Sequence, residues 1–508
     1  MIRFNLFYPN RLLQLAISIV LSSYAENCGS KAVKTAKAAD LERYKNAINR
    51  DGDISQIMYG MKEPPLYAAV REGNAEKVGI LLKKIKADFT KSEEEKKDLN
   101  YQDTNFPNSV DKASGDTALL KAIRNKQEKI AELLINCVHF KKSLTIANEN
   151  NKTDTPLRLA IANKLDNAAI LLIGKLAESN LGVLTQAKST QDRETPLHLA
   201  VKVKAHTIAD CLIDKLKEGD LNAIDNKGQT ALHIAIQHKL TEIVKKLIQR
   251  QATESLYIAD AEQNTPLHIA IQRKFETMAT TLIEKLVKAQ ATESLYIADA
   301  EQNTPLHIAI QRKLTNVARL LIDHINAASL VLVNNDKNNK MMPLHIAIEK
   351  GEYEVVKLLV KKVADNCREK LTTCDGKDRN PLHMAAGYND IASFESIWNE
   401  VSKLGNPTHY LIKKDHRDAT VFARAYLPKN RRLNASILSI DSTLNTHGKD
   451  DTMFDSILIL VKRELKSEDW NKIREEIKQE IDHFVPFKNK SNDRNTRLKE
   501  LVDRPTIK

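Results

Sequence analysis

Apolar residues return along this chain in paired stripes of helical spacing, each pair opened by the same polar-to-apolar step. From Thr230 the chain reads Thr230-Ala231-Leu232-His233-Ile234-Ala235-Ile236, which places Leu232, Ala235 and Ile236 on one face of a helix. A second stripe, Ile243, Val244, Leu247 and Ile248, has the i, i+4 spacing of a helix that must face a core. The same step recurs at Pro65, Ala118, Pro156, Pro196, Ala231, Pro266, Pro305, Pro343, Pro381 and Val421, at gaps of 35 to 53 residues. Twelve to seventeen residues past these anchors lie Ile208, Ala209, Leu212 and Ile213, then Met278, Ala279, Leu282 and Ile283, then Val355, Val356, Leu359 and Val360. The weak last anchor is followed by Leu433, Ile437 and Leu438. One such helix pair cannot bury its apolar face alone, whereas stacked pairs build a continuous core. The period predicts an all-α solenoid of about ten helix pairs, with little room for any other fold.

Local chemistry agrees. Thr230 and its counterparts are good N-caps, because a hydroxyl can accept an orphan amide of the first turn. Proline holds most of the anchors, where a missing N–H costs nothing.

The segments Thr195-Pro196-Leu197-His198-Leu199-Ala200, Thr265-Pro266-Leu267-His268-Ile269-Ala270 and Thr304-Pro305-Leu306-His307-Ile308-Ala309 resemble the ankyrin-repeat motif, over roughly residues 44–440. The resemblance implies antiparallel helix pairs joined by β-hairpin-like loops, and partners bound through loop tips and the inner helix face. The chain departs from the motif in two ways. Its period exceeds the usual 33 residues, so helix ends or loops carry extra length. The glycine three places before the anchor survives only as Gly115 and Gly228.

Polar tip residues fit partner binding: Asp225, Asn226 and Lys227; Asp260, Glu262 and Gln263; Asp299, Glu301 and Gln302; Asp336, Lys337 and Asn338; Lys377, Asp378 and Arg379. Residues 251–274 and 290–313 are identical over 24 positions, the mark of a copied unit. Eight residues past the anchor, where the resemblance implies glycine at the turn between helices, stand Lys126, Lys164, Lys204, Lys239, Lys274, Lys313 and Lys429. Gly73, Gly351 and Asn389 occupy the other such turns. A left-handed turn costs a non-glycine residue roughly 1–2 kcal/mol. Either these turns are not left-handed, or the stack is strong enough to bear the strain. The lysines predict a basic edge suited to an acidic partner or an anionic lipid surface. Charges about 10 Å apart are also largely screened at a Debye length near 8 Å, so the edge needs no partner to exist.

The anchor histidines His198, His233, His268, His307, His345 and His383 come one per unit, about 8–10 Å apart if units pack as helices do. Zinc needs its ligands within about 2.1 Å of one ion, so this ladder is no metal site. The resemblance assigns it structural hydrogen bonds within and between loops. There is no Gly-rich phosphate loop, Cys-x-x-Cys, His-Glu-x-x-His or serine elbow. The chain reads as a non-catalytic scaffold, with no cofactor and no metal. The alternative of an activity in residues 441–508 has only 68 residues to work with.

The net charge of +12 sits upstream of residue 441, because the segment beyond it is neutral. With no basic tail, no specific nucleic-acid partner is expected; a protein partner and a monomeric chain are. Five cysteines make no disulfide framework, although Cys367 and Cys374 flank a loop and could pair.

Residues 1–25 resemble a secretory signal: Arg3 and Arg11, an apolar run from Leu12 to Leu21, then Ser23-Tyr24-Ala25. Residues 26–40 read as a linker. Cys28, before Gly29-Ser30, is a candidate for lipidation after cleavage, in which case the chain is an envelope lipoprotein and lipid is its route to a membrane. Export to periplasm, surface or medium is expected either way. Residues 41–440 read as the solenoid with a degenerate N-terminal cap at Leu41–Met58. Residues 441–508 read as a helical hairpin cap, with stripes Phe454, Ile457, Leu458, Val461, Leu465 and Trp470, Ile473, Ile477, Ile481, Phe484, and a disordered tail after Pro486.

Overall fold

All ten anchors open a helix in the computed structural model. The local reason is the cap. Thr117 Oγ1 accepts the amide of Leu120 at 3.2 Å, Thr155 that of Arg158 at 3.3 Å, and Asn380 Oδ1 that of His383 at 3.0 Å. Each caps an orphan amide that water would otherwise have to satisfy. The structure describes residues 65–89, 110–111, 114–137, 142–179, 182–185, 193–250, 256–335, 339–426 and 451–483, with positions 496, 499–500 and 502–503. The signal and linker segments, Leu41–Met58, Cys28, Asp336, Lys337, Asn338, Lys429, Leu433, Ile437, Leu438 and Phe484 lie outside them.

The chain forms two compact units, Met1–Asn226 and Lys227–Lys508. The first holds α1 (Pro65–Arg71), α2 (Ala75–Phe89), α3 (Ala118–Arg124), α4 (Glu128–Asn136), α5 (Pro156–Ala162), α6 (Asp166–Ser179), α7 (Gly182–Thr185), α8 (Pro196–Lys202) and α9 (His206–Lys215). First helices stack on first helices, α1 on α3 on α5 on α8, and second on second, α2 on α4 on α6 on α9. Leu119, Ile123, Leu134, Leu172, Ile208 and Leu212 are buried between them. Each such side chain contributes roughly 1.5–3 kcal/mol by leaving water.

The second unit repeats the pattern. Its pairs are α10 (Ala231–Gln237) with α11 (Thr241–Arg250), α12 (Pro266–Gln272) with α13 (Glu276–Lys288), α14 (Pro305–Gln311) with α15 (Thr315–His324), α16 (Pro343–Lys350) with α17 (Tyr353–Cys367), and α18 (Pro381–Gly387) with α19 (Ile391–Val401). Then follow α20 (Pro407–Ile412), α21 (Val421–Tyr426), α22 (Asp451–Glu464) and α23 (Ser467–His483). The length beyond 33 residues is used twice. Some second helices run long, as in α13 and α17, and short 3₁₀ turns such as Thr292–Tyr296 and Arg368–Thr372 precede the tips.

The C-terminal helices depart from a simple lid. Helix α22 packs against both α21 and α19, the two neighbours that a second helix has throughout the stack. It therefore completes the last repeat, a place the sequence assigns to Leu433, Ile437 and Leu438. Phe454 meets Phe422 at 6.0 Å between ring centres, and Ile457 and Val461 are buried beside them. Helix α23 lies on α20, and Glu480 accepts the hydroxyl of Thr420 at 2.6 Å. The tail expected to be disordered folds back at two described positions: Val502 is buried, and Asp503 pairs with Lys478 at 2.5 Å. The loops are hairpins in path but carry no strand among the described residues, only the isolated bridge between Val110 and Thr117. The four described cysteines past Cys28 are free, so Cys367 and Cys374 do not pair.

Candidate functional surfaces: hairpin tips and helix turns

An aspartate six residues before the anchor builds four tips of the second unit, at Asp260, Asp299, Asp375 and Asp415, while Asn334 Oδ1 accepts the amide of Met341 at 2.8 Å in the tip before Pro343. Asp260 Oδ1 accepts the amides of Glu262 at 3.1 Å and Asn264 at 2.8 Å. Asp299 does the same for Glu301 at 2.9 Å and Asn303 at 2.8 Å, and Asp375 for Lys377 at 2.9 Å and Arg379 at 3.0 Å. This is the Asx turn, in which a side chain stands in for a backbone acceptor. It holds Gln263, Gln302 and Asp378 at φ 61°, 61° and 56°, the left-handed region that Gly228 occupies at 71°. Loss of the tip glycine therefore leaves the tip geometry unchanged.

Neighbouring tips are stitched together. The amide of Ala261 donates to the carbonyl of Lys227 at 2.8 Å, that of Ala300 to Glu262 at 3.1 Å, that of Asn335 to Glu301 at 2.8 Å, and that of His416 to Lys377 at 3.1 Å. Backbone and aspartates are thus used inside the row.

The expected tip residues divide accordingly. Asp225, Asp260 and Asp299 are buried, so they shape tips and do not face a partner. Arg379 donates to the Asp375 carboxylate at 2.5 Å and is likewise internal. Burial pushes the Asp375 carboxyl up, but the Arg379 guanidinium outweighs it and holds the group below the usual carboxylate range. Asn226, at the end of the first unit, is exposed, as are Lys227, Glu262, Gln263, Glu301, Gln302 and Asp378; Lys377 is half-buried. The stitching amides of Ala261, Ala300, Asn335 and His416 had no side-chain signal by which to be found.

The histidine ladder is structural. Thr304 N–H and Oγ1 meet His307 Nδ1 at 3.2 and 2.8 Å, and Nε2–H donates to the Met341 carbonyl of the next repeat at 3.1 Å. His268 bonds the Asn303 carbonyl at 3.2 Å in the same way, whereas His383 bonds the Lys413 carbonyl at 2.8 Å through Nε2 but has Asn380 Oδ1, and no amide, 2.8 Å from its Nδ1. An amide donor at Nδ1 requires the neutral Nε2–H tautomer. Burial agrees, pushing His268 down and holding His307, His345 and His383 at about 4.

The lysine turns lie at the other end of each first helix, about 10 Å from its tip for seven residues at 1.5 Å rise. Tips and lysines are therefore separate surfaces. Lys126, Lys164, Lys204, Lys239, Lys274 and Lys313 all have φ between 56° and 60° and are exposed. The open question of turn handedness thus resolves as left-handed. Two hydrogen bonds close each turn: Lys239 N–H donates to Ile236 O and Leu240 N–H to Ala235 O, both at 2.9 Å. This is the Schellman end, accompanied by an apolar residue just past it. That residue is Leu165, Ala205 or Leu240, which are buried, or Phe275 or Leu314, which are half-buried, while Gln127 follows Lys126; an apolar residue at this place is the sequence signal for handedness that the lysine obscures.

No cluster of histidine, cysteine, aspartate or glutamate among the described residues could hold a metal, and no described helix is long and apolar enough to cross a membrane. No curated protein matches the chain. Among solved structures, the crystal structure of the ankyrin repeat domain of Bcl-3, a unique member of the IkappaB protein family, is similar to it. That likeness has 22% identity and a TM-score of 0.36, over 46% of this chain and 95% of that one. A family profile described as ankyrin repeats (3 copies) matches residues 66–183, 175–260, 197–293, 251–331, 286–370 and 324–399. With helix pairs, capped anchors, histidine ladder and profile in agreement over most of its length, the chain belongs to the ankyrin-repeat family.

Proposed function

We propose that this protein is a non-catalytic scaffold that holds a protein partner on its hairpin tips and the adjoining inner face of the first helices. Ankyrin repeats are in general protein-interaction scaffolds. One observation carries the reading for this chain: the tip backbone and its aspartates are consumed in holding shape, while Lys227, Glu262, Gln263, Glu301, Gln302 and Asp378 stay exposed on it. A rigid row of varied polar side chains loses little entropy on binding, which favours affinity. The test replaces Glu262, Gln263, Glu301 and Gln302 by alanine and compares the proteins captured by each form of the full chain. Partners held by the parent and lost by the variant, at an unchanged thermal midpoint, support the reading. An identical set of partners sinks it.

The same proposal covers location. Arg3, Arg11 and the run Leu12–Leu21 support export through a cleaved signal, and Cys28 supports an alternative in which the mature chain is lipid-anchored. Palmitate labelling with sequencing of the mature N-terminus separates the two. A full-length unprocessed N-terminus in the exported fraction rejects both.

A further inference from the structure

Three successive repeats of the second unit carry Lys239, Lys274 and Lys313 at left-handed turns, preceded in two of them by Arg273 and Arg312. All five side chains are exposed. Arg273, Lys274, Arg312 and Lys313 make no ion pair among the described residues, and Lys239 lies 5.5 Å over the Phe275 ring. The same turn in the next repeat is Gly351, at φ 70°, with open space where a Cβ would stand. There the flanks change sign. Glu349 pairs with Lys350 at 3.2 Å, Glu352 accepts the Thr315 hydroxyl at 2.7 Å, and Glu354 follows. An arginine thus precedes the strained position at Lys274 and Lys313, whereas carboxylates stand on both sides of Gly351. Among the described residues no ion pair uses the lysine charges, only Lys239 meets a ring, and glycine is the residue the backbone prefers there.

We infer that this three-turn edge binds an acidic, extended segment of a protein, at a surface separate from the tips. The spacing selects that occupant. First helices of neighbouring repeats pack on one another, so the turns recur at about 8–10 Å. A peptide extended as polyproline II advances about 3.1 Å per residue with three residues per turn, which brings a carboxylate at every third position to each lysine in turn, about 9 Å apart on one face. A nucleic-acid strand carries a charge at every step of about 3.4 Å. Such a rail, or an anionic lipid surface, would also meet Glu242 and Glu276, which sit in the first turns of α11 and α13 directly after Lys239 and Lys274. A peptide with spaced carboxylates registers on the lysines and passes between those glutamates.

The test uses the full chain and its Lys239→Gly, Lys274→Gly, Lys313→Gly variant. The probes are a nine-residue peptide with glutamate at positions 1, 4 and 7, and the same composition with its glutamates contiguous. Vesicles of phosphatidylcholine with one-fifth phosphatidylserine and a single-stranded oligonucleotide serve as the competing classes. The expected result is tighter binding of the spaced peptide than of the contiguous one, a loss of about tenfold in the variant at low salt, and a weaker salt dependence. The variant's thermal midpoint should hold or rise, because glycine relieves the turns. Stability and binding then move in opposite directions, which a merely solvating edge would not produce. Equal binding of both peptides, binding that ignores the substitutions, or a substitution-sensitive preference for vesicles or oligonucleotide overturns the proposal.

Discussion

Acid should dismantle this fold through its histidines before its carboxylates protonate. His307 accepts an amide and a hydroxyl at Nδ1 and donates from Nε2 to the next repeat, so a proton on Nδ1 would oppose two donors with a third. Burial accordingly holds His307, His345 and His383 at about 4 in the folded chain, against 6.5 for a free imidazole. Between those values the unfolded chain binds more protons than the folded one. Stability therefore rises with pH across that window, is complete above about 6.5, and is lost as pH falls towards 4. At pH 5 each site should cost about 2 kcal/mol, and the three together about 6 kcal/mol, comparable with the whole stability of many domains. Glu480 acts with the opposite sign. Its buried carboxyl sits above its ordinary value, so its contribution is lost as pH rises through the raised value, and one such site offsets only part of the histidine effect. Asp375 and Asp415 are held below their ordinary range and weaken the fold only at still lower pH. The assay is urea unfolding followed by circular dichroism at pH 7.5, 6.0 and 5.0, on the full chain and on a His307→Asn, His345→Asn, His383→Asn variant. The variant should start less stable, having lost inter-repeat bonds, yet change little across the window. A parent whose stability is flat from pH 7.5 to 5.0, or imidazoles that titrate near 6.5 in the folded state, would refute the reasoning.

Other expectations are simpler. Gly351→Ala should cost about 1 kcal/mol, since φ 70° is the only obstacle and no atom stands within 4 Å of the new Cβ. Gly228→Ala should cost clearly more in the same melts, because its Cβ would stand 3.0 Å from the Ala261 amide that stitches two tips. Phe454→Ala should destabilise the second unit by about 3–5 kcal/mol, as the ring is buried against Phe422. Removal of residues 451–508 should leave an array that self-associates on sizing columns, since α19 and α21 lose the helix that covers them. A truncated chain that stays monomeric at an unchanged thermal midpoint would show that α22 does not complete the last repeat.

Much of this molecule was legible in the order of its residues. The anchors, their threonine and proline caps and the paired apolar stripes located every first helix, because a helix start depends on a side chain and an amide only a few residues away. One-per-repeat spacing excluded the histidine ladder as a metal site, and the ankyrin resemblance supplied its structural role. Handedness of the lysine turns was not decided by the lysine. It depends on two closing hydrogen bonds and on whether Leu240 and its counterparts bury, which is a property of the packed stack. Tip residues looked alike on paper, yet Asp260 and Asp299 turned inward while Glu262 and Glu301 faced water. The difference lies in which carboxylate reaches the loop's own amides. The last repeat is the clearest case. Leu433, Ile437 and Leu438, which fit its second helix by spacing, lie outside the described residues; among those described, α22 covers α21 through Phe454 and Phe422, residues 32 apart in the chain. Periodicity records which faces must be covered, and only three-dimensional packing chooses among apolar stripes of the same period competing to cover them.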